Sequence, residues 1–258
     1  MSELKPMPDD VPTSPERRRF VGAATATAAA LTIAPGVMLY QVAHGRPEEQ
    51  AASSAVRWGM LVDATKCATG CDDCVTACST ENGWTPVAES KHPKQAPQWI
   101  RKLELQDPLT QMVTSLPMLC QHCAEPPCVD VCPTGASFKR ADGIVLVDRH
   151  TCIGCRYCVM ACPYQARSFI HENLANQKPD VPRGKGTVES CTLCVHRIDQ
   201  GQQNTACAEA CTQAGHGAIV FGNLNDPDSE ISRRARAAAS TQLRADLRLD
   251  LGVRYQGL

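Results

Sequence analysis

Large aromatic side chains are scarce in this sequence. Its 258 residues include only 4 Phe, 3 Trp and 4 Tyr, or 4% of the chain. A chain of this length folds as one large domain or two small ones, and so few rings would leave either with a thin core. We therefore expect another group to fill and tie together part of the interior.

An excess of positive charge is lacking as well. The 26 Lys and Arg residues are matched by 27 Asp and Glu residues, so the formal net charge is -1. Nucleic-acid-binding domains usually carry a basic patch, and this balance predicts none. The sequence contains neither a P-loop nor a G-x-G-x-x-G fingerprint, so we do not expect it to bind ATP or NAD.

Cysteine, in contrast, is abundant. The 16 Cys residues fall into four groups of four, and none is left over. Grouping without remainder is what a set of metal ligands looks like. The groups are Cys67, Cys71, Cys74 and Cys78; Cys120, Cys123, Cys128 and Cys132; Cys152, Cys155, Cys158 and Cys162; and Cys191, Cys194, Cys207 and Cys211.

The third group has the most informative spacing. Cys152 to Pro163 reads CIGCRYCVMACP, the C-x2-C-x2-C-x3-C-P run of bacterial-type 4Fe-4S ferredoxins. In two-cluster ferredoxins the fourth Cys of such a run ligates the other cluster, so Cys162 is expected to reach a second site. At four ligands per cluster, the 16 Cys predict four 4Fe-4S clusters.

Two alternative interpretations are that the cysteines form disulfide bonds or that they bind zinc. Repeated C-x2-C pairs favour metal over disulfide bonds. Structural zinc usually takes two separated pairs, which fits the second and third groups poorly. Among the seven His, His122 and His196 lie inside or beside cysteine groups, and we expect each to donate a hydrogen bond near a cluster and not to ligate iron.

The N-terminal residues 1–45 predict an export signal. Arg17, Arg18 and Phe20 form a twin-arginine pattern, followed by an apolar run over residues 21–43. This route exports folded, cofactor-loaded proteins, which is consistent with an exported chain whose cysteines are not oxidised. The apolar run is long enough to span a bilayer if it is retained, so a cleaved signal and a membrane anchor both remain open.

The rest of the chain predicts an α+β fold of two tandem bacterial-type ferredoxin modules, stapled by their cofactors. Residues 46–57 form a linker, and a strand over 58–63 opens a four-cluster domain over 58–225. Within it, residues 84–119 are an insert containing a β-hairpin, and residues 135–148 form a second hairpin. The arginine-bearing tail over 226–258 is predicted to be helical and solvated.

The four groups, the long insert and the split fourth group resemble the four-cluster ferredoxin subunits of polysulfide-reductase and DMSO-reductase type membrane complexes. LCQHCAEPPCVDVCPTGASF, DRHTCIGCRYCVMACPYQARSF and FGNLNDPDSEIS are most similar to the periplasmic iron-sulfur subunits of Dsr complexes of dissimilatory sulfur metabolism. The resemblance covers nearly all of residues 58–225.

The resemblance also implies how the groups share clusters, first with fourth and second with third. The implied ligand sets are Cys67, Cys71, Cys74 and Cys211; Cys78, Cys191, Cys194 and Cys207; Cys120, Cys123, Cys128 and Cys162; and Cys132, Cys152, Cys155 and Cys158. This chain departs from the family in one extra residue after Cys67, and in Ser79 and Thr212 where Pro is expected. Both departures fall in the first-with-fourth pair, so the count is four clusters, or three if the irregular loop binds none.

The expected function is electron relay between a membrane partner and a periplasmic redox subunit, and not catalysis by the chain itself. No nucleophile is paired with a base, and every Cys is assigned as a ligand. The resemblance implies an NrfD-like integral membrane subunit and a multihaem cytochrome c as partners. The alternatives are the small subunit of a molybdopterin oxidoreductase and an exported structural or metal-storage protein.

Overall fold

The described part of the chain, residues 51–175 and 177–258 of a computed structural model, is built from short helices and strands. The strands are β1 (Trp58–Asp63), β2 (Ile100–Gln106), β3 (Val113–Leu119), β4 (Ser137–Lys139), β5 (Val145–Val147), β6 (Ser168–Phe169), β7 (Val188–Glu189), β8 (Ile219–Asn223) and β9 (Val253–Gln256). The helices are α1 (Asp73–Asn82), α2 (Pro127–Asp130), α3 (Tyr157–Ala161), α4 (Val195–Asp199), α5 (Ala206–Gln213) and α6 (Glu230–Ala237).

The predicted export signal over residues 1–45 and the first residues of the predicted linker lie outside the described residues. Within residues 51–175 and 177–258, no helix has the length and apolar character needed to cross a membrane. The longest of these helices, α1, has 10 residues.

Strand β1 is the centre of a three-stranded sheet with the order β8-β1-β9. It pairs antiparallel with β8 and parallel with β9. Met60 and Leu61 point to opposite faces and are both buried, so this strand has core on each side. A Cβ atom on Gly59 would lie 2.5 Å from the carbonyl oxygen of Gly252, so only glycine allows the segment entering β9 to approach this closely.

The predicted hairpins are present. In the insert, β2 pairs antiparallel with β3, and the Asp107 carboxylate closes the turn by accepting the N–H groups of Leu109 and Thr110 at 2.7 and 3.0 Å. The second hairpin pairs β4 with β5 between the second and third cysteine groups. A short pair, β6 with β7, links the end of the third group to the start of the fourth.

The tail differs from its prediction. Only Glu230–Ala237 is α-helical, and Val253–Gln256 is a strand that completes the central sheet. The reason is the alternation in VRYQ, which turns Val253 and Tyr255 into the core, where both are 0% exposed. The Tyr255 hydroxyl donates to the carbonyl of Pro117 at 3.1 Å, so the tail also holds the insert hairpin.

A buried ion pair connects the loop before β7 to the end of α1. The Arg183 guanidinium binds both carboxylate oxygens of Glu189, at 2.6 and 3.0 Å, and donates to the Gly83 carbonyl at 2.6 Å. The two side chains are 7% and 0% exposed. Because Glu189 is fully buried, this arginine supplies the hydrogen bonds that water cannot reach to provide.

Replacing Arg183 with Met should therefore destabilise the fold. Leaving the Glu189 charge unpaired in the interior costs about 3–5 kcal/mol. For a domain of this size that corresponds to a loss of roughly 6 to 20 °C in melting temperature. The measurement is thermal unfolding of the anaerobic holoprotein by circular dichroism.

The matched control is Arg244→Met, which breaks an ion pair with Asp246 whose side chains are 59% and 62% exposed. Solvent screens that pair, so its melting temperature should equal that of the wild type. An equal loss in both variants would show that the Arg183 pair has no special role.

Candidate metal centres

The first and fourth cysteine groups meet where α1 packs against α5. Three sulfurs of the first group lie around one small cavity with a sulfur of α5, and Lys102 and His216 share the lining. We call this cluster of cysteines site A. Its members are Cys67, Cys71, Cys74 and Cys211.

Site B lies at the other end of the contact between these helices. Cys78, from the C-terminal half of α1, faces a second cavity that is also lined by Trp99 and Thr205. The three remaining cysteines of the fourth group complete the lining. Site B thus consists of Cys78, Cys191, Cys194 and Cys207, and all four are buried.

The second and third groups meet where α2 packs against α3. Site C contains Cys120, Cys123, Cys128 and Cys162, whose sulfurs act on one another electrostatically. The charges of Cys132 and Cys152 act on Cys158, and Cys155 belongs to the same sequence run as Cys152 and Cys158; we call these four residues site D. In each helix pair, the last cysteine of one group therefore lies among cysteines of the other group.

Charge interactions between cysteines connect the four sites in a series, which we call the row. Site A adjoins site B through Cys74 and Cys207, site B adjoins site C through Cys191 and Cys120, and site C adjoins site D through Cys128 and Cys158. Neighbouring sites are thus close enough for their sulfurs to interact, and the order along the row is A, B, C, D.

Exposure varies along this row. Site B is wholly buried, and site C is buried except for the half-buried Cys162. Site A reaches the surface at half-buried Cys67 and Cys71, and site D at Cys155, which is exposed. The row thus has two accessible ends and a more deeply buried middle.

Burial dominates the acid-base behaviour of the interior thiols. Together with repulsion from neighbouring sulfurs, it raises the pKa of Cys74, Cys120, Cys123 and Cys194 to about 12. Thiols with such pKa values stay protonated at neutral pH unless a cation binds them. A metal that stabilises thiolates would therefore release protons on binding and supply the charge that this interior lacks.

The cysteines that end each group share a second feature. Cys132, Cys162 and Cys211 each accept a backbone N–H, from Ser137 at 3.3 Å, Ala166 at 3.5 Å and Ala218 at 3.2 Å. In the first group, the side-chain amide of Asn82 takes this place, 3.5 Å from the Cys78 sulfur. Hydrogen bonds of this kind favour the thiolate, the form that binds metal.

Several buried N–H donors near these sites have no oxygen or nitrogen acceptor in the described part of the chain. They are Trp84 Nε1, Trp99 Nε1, His122 Nε2 and the three guanidinium nitrogens of Arg167. Two of these side chains lie beside a cysteine sulfur and favour its thiolate form: Trp84 beside Cys78, and Arg167 beside Cys158.

Buried donors almost always have a partner, so this set calls for acceptors within the cysteine sites. Sulfide and thiolate sulfurs of a 4Fe-4S cluster are such acceptors. The donor set and the four-cysteine sites therefore fit 4Fe-4S clusters.

The two histidines near the cysteine groups behave differently from each other. His122 is 1% exposed, and its Nδ1 accepts the N–H of Val145 at 3.0 Å, which leaves the proton on Nε2. Nδ1 is therefore occupied, and Nε2 keeps a proton to donate. His196 Nε2 lies 2.7 Å from a carboxylate oxygen of Glu81, so its partner is an acid and not a sulfur.

Arg197 holds together the three helices around site B. Its guanidinium, on α4, binds both oxygens of Glu81 on α1 and one oxygen of Glu209 on α5, each at 2.7 Å. This bidentate pair, with His196, lowers the pKa of Glu81 to about 2. The charged network lies outside the cysteines and fixes the helices that carry them.

Lys102 closes the irregular loop of site A. Its ammonium group donates to the carbonyls of Ala68 and Cys71, both at 2.8 Å, and so spans the stretch with the extra residue. Asp73 and His216 place ligand atoms within 4.8 Å of the Cys71 sulfur. The insert hairpin thus has a structural role at this site beyond general packing.

Lys102, Arg167, Arg197 and the buried tryptophans were not singled out from the sequence. Arg167 had a signal, because QARSFI places a charged residue inside an otherwise strand-like run beside a cysteine group. No sequence signal pointed to Lys102 or Arg197, because each forms its hydrogen bonds with residues distant in the sequence.

A profile of the 4Fe-4S dicluster domain family matches residues 111–223, which include the second, third and fourth cysteine groups. The chain is 42% identical to the Hdr-like menaquinol oxidoreductase iron-sulfur subunit 1 of Archaeoglobus fulgidus, over 94% of this chain and 98% of the relative. It is 40% identical to a tetrathionate reductase subunit of Salmonella typhimurium, over 72% and 66%. It is 34% identical to the menaquinone reductase iron-sulfur cluster-binding subunit of Nitratidesulfovibrio vulgaris, over 78% and 88%.

Replacing Lys102 with Met should weaken site A alone. Without the ammonium group, the carbonyls of Ala68 and Cys71 lose their shared donor and the irregular loop opens. Iron per purified chain should fall by about four, the content of one cluster, when the protein is held at mild chelator concentration. Lys91→Met, which changes an exposed lysine of the insert, is the control and should retain the wild-type iron content. Equal retention in both variants would contradict a role for Lys102 in holding the loop.

Proposed function

Because this chain belongs to the family of 4Fe-4S subunits of membrane oxidoreductase complexes, we propose that it relays electrons along four clusters in a complex of dissimilatory sulfur metabolism. The chain is an iron-sulfur electron-transfer subunit of a quinone-linked complex and not itself a catalytic enzyme. Its cofactors are 4Fe-4S clusters.

The row of cysteine sites carries the proposal. Each site gathers four sulfurs, neighbouring sites adjoin in the order A, B, C, D, and the two ends are the most accessible. This arrangement suits a relay, because electrons must enter and leave while the intermediate carriers are shielded from water and oxidants. We assign the 16 cysteines as the ligands of four clusters, one at each site.

The clusters supply one-electron redox chemistry, and the polypeptide positions and tunes them. In our assignment, the sulfurs that cross between groups tie each pair of helices into a two-cluster module, which makes the fold two tandem ferredoxin modules. Hydrogen bonds to Cys78, Cys132, Cys162 and Cys211 stabilise negative charge on sulfur. Burial of site B has the opposite effect, because it destabilises any negative charge that is added to the site.

We assign the complex an NrfD-like integral membrane subunit as the quinone-reactive partner and a multihaem cytochrome c as the other redox partner. The relatives named as menaquinol oxidoreductase, menaquinone reductase and NrfC proteins support a quinone-linked membrane partner. The twin-arginine pattern of Arg17, Arg18 and Phe20 supports a periplasmic location. The amino-acid sequence around the second and third cysteine groups supports a DsrO-type protein in particular.

A second candidate is the iron-sulfur subunit of a molybdopterin oxidoreductase. The 40% identity to the tetrathionate reductase subunit favours it. That match covers 66% of the relative, whereas the match to the menaquinol oxidoreductase subunit covers 98%. Agreement over the full length therefore favours the first candidate.

Purification of the membrane complex through a C-terminal tag separates the two candidates. We expect an NrfD-like protein and a haem-stained cytochrome to co-purify, with no molybdenum in the preparation. A large molybdenum-containing subunit in place of the cytochrome would replace our proposal with the second candidate.

The cluster count is tested on the anaerobically purified chain. We expect about sixteen iron and sixteen acid-labile sulfide per chain, and broad EPR spectra of interacting clusters after dithionite reduction. About twelve of each would leave a three-cluster relay without site A. Negligible iron in a folded, colourless protein would overturn the relay and favour disulfides, zinc or a storage role.

Breaking the row at its buried middle should stop electron flow while leaving most clusters in place. We expect Cys194→Ser in the intact complex to reduce quinol-dependent reduction of the cytochrome to background, with about twelve iron retained per iron-sulfur chain. The control is Ser54→Ala, which removes an exposed hydroxyl outside the four sites and should leave electron transfer normal. Undiminished cytochrome reduction in Cys194→Ser would contradict a linear relay through site B.

A further inference from the structure

Arg167 is a buried cation with no oxygen or nitrogen acceptor among the described residues. The residue is 5% exposed, and all three of its guanidinium nitrogens lack such a partner there. Burying an unpaired charge is costly, and buried arginines are normally paired. The partner of this guanidinium must therefore be something that the cysteine sites hold.

The charges that act on Arg167 belong to sulfur atoms. They are those of Cys120 and Cys128 in site C and of Cys158 in site D. Cys128 and Cys158 are the pair through which these two sites adjoin. The guanidinium thus lies at the junction of sites C and D.

The backbone around Arg167 is fixed on both sides. The N–H of Ala166 is hydrogen-bonded to the Cys162 sulfur at 3.5 Å, and the Ser168 hydroxyl accepts the N–H of Gln98 at 2.9 Å. The arginine is therefore held in place by a site C cysteine before it and by the insert after it. These two hydrogen bonds fix the backbone on either side of Arg167 without any contribution from a cofactor.

We propose that Arg167 bridges the clusters of sites C and D by donating N–H···S hydrogen bonds to both, and that its charge raises the reduction potentials of this pair. The inference rests on the proposed function, because it requires clusters at these two sites. Reduction adds one negative charge to a cluster, so a nearby cation and its hydrogen bonds stabilise the reduced form. Electrons in the relay would then reside on this pair in preference to the fully buried site B.

Arginine suits this position better than lysine. Its planar guanidinium presents five N–H donors in a rigid fork, so it can serve acceptors on two sides at once. A lysine would keep the positive charge but concentrate its donors at one point. The Arg167→Lys variant should therefore keep most of the effect on one cluster and lose it on the other.

The test is a redox titration of the purified holoprotein, followed by EPR. In Arg167→Met, we expect the equilibrium constants for reduction of two clusters to fall by about tenfold, or about 59 mV per one-electron step, the effect of losing one charge-assisted hydrogen bond each. The other two clusters should be unchanged. The control is Arg57→Met, which removes a half-buried guanidinium that is paired with the Asp250 carboxylate at 2.8 Å.

Iron and sulfide analysis of each variant keeps the two proposals apart. Full cluster content with all four potentials unchanged in Arg167→Met would overturn the bridge and leave the relay intact. If Arg167→Met loses clusters, wild-type protein labelled with 15N-arginine gives an independent readout by pulsed EPR of the reduced clusters. We expect a guanidinium nitrogen coupling to a cluster, and its absence would overturn the proposal.

Discussion

The interior of this protein must hold sulfur ligands that would otherwise be protonated. Burial and mutual repulsion raise the pKa of most inner thiols far above neutrality, so the polypeptide alone cannot keep them as thiolates. The iron of the clusters provides the missing positive charge. The scarcity of aromatic residues follows from the same constraint, because inorganic groups and their cysteines take much of the space that rings occupy in other cores.

Crosswise placement of the cysteines links this chemistry to the fold. The last cysteine of each group lies among cysteines of the partner group, where α1 packs against α5 and α2 against α3. The polypeptide then supports those contacts from outside, with Arg197 clamping the helices around site B and Lys102 closing the loop at site A. Arginine and lysine thus surround the sulfur-rich interior at specific points, although the chain as a whole has almost no net charge.

Local patterns in the sequence predicted local structure well. The turn at Asp107 and Pro108 predicted the insert hairpin, since a hairpin depends on neighbours in the chain. The ligand sets across the cysteine groups came from the family resemblance, because spacing within a group does not say which groups meet. The tail was wrongly predicted as helical, because its alternating VRYQ is only four residues long and follows a run of Ala and Arg with strong helical character. Arg167 and Lys102 were missed because their roles depend on sulfurs and carbonyls supplied by other segments, which no local pattern records.

The central sheet imposes an order on assembly. Within the described chain, strand β1 pairs only with β8 and β9, which come more than 150 residues later in the sequence. In each of the two hairpins, by contrast, a strand pairs with the next strand along the chain. During synthesis, β1 is therefore apolar on both faces and lacks both partner strands until residues 253–256 have left the ribosome.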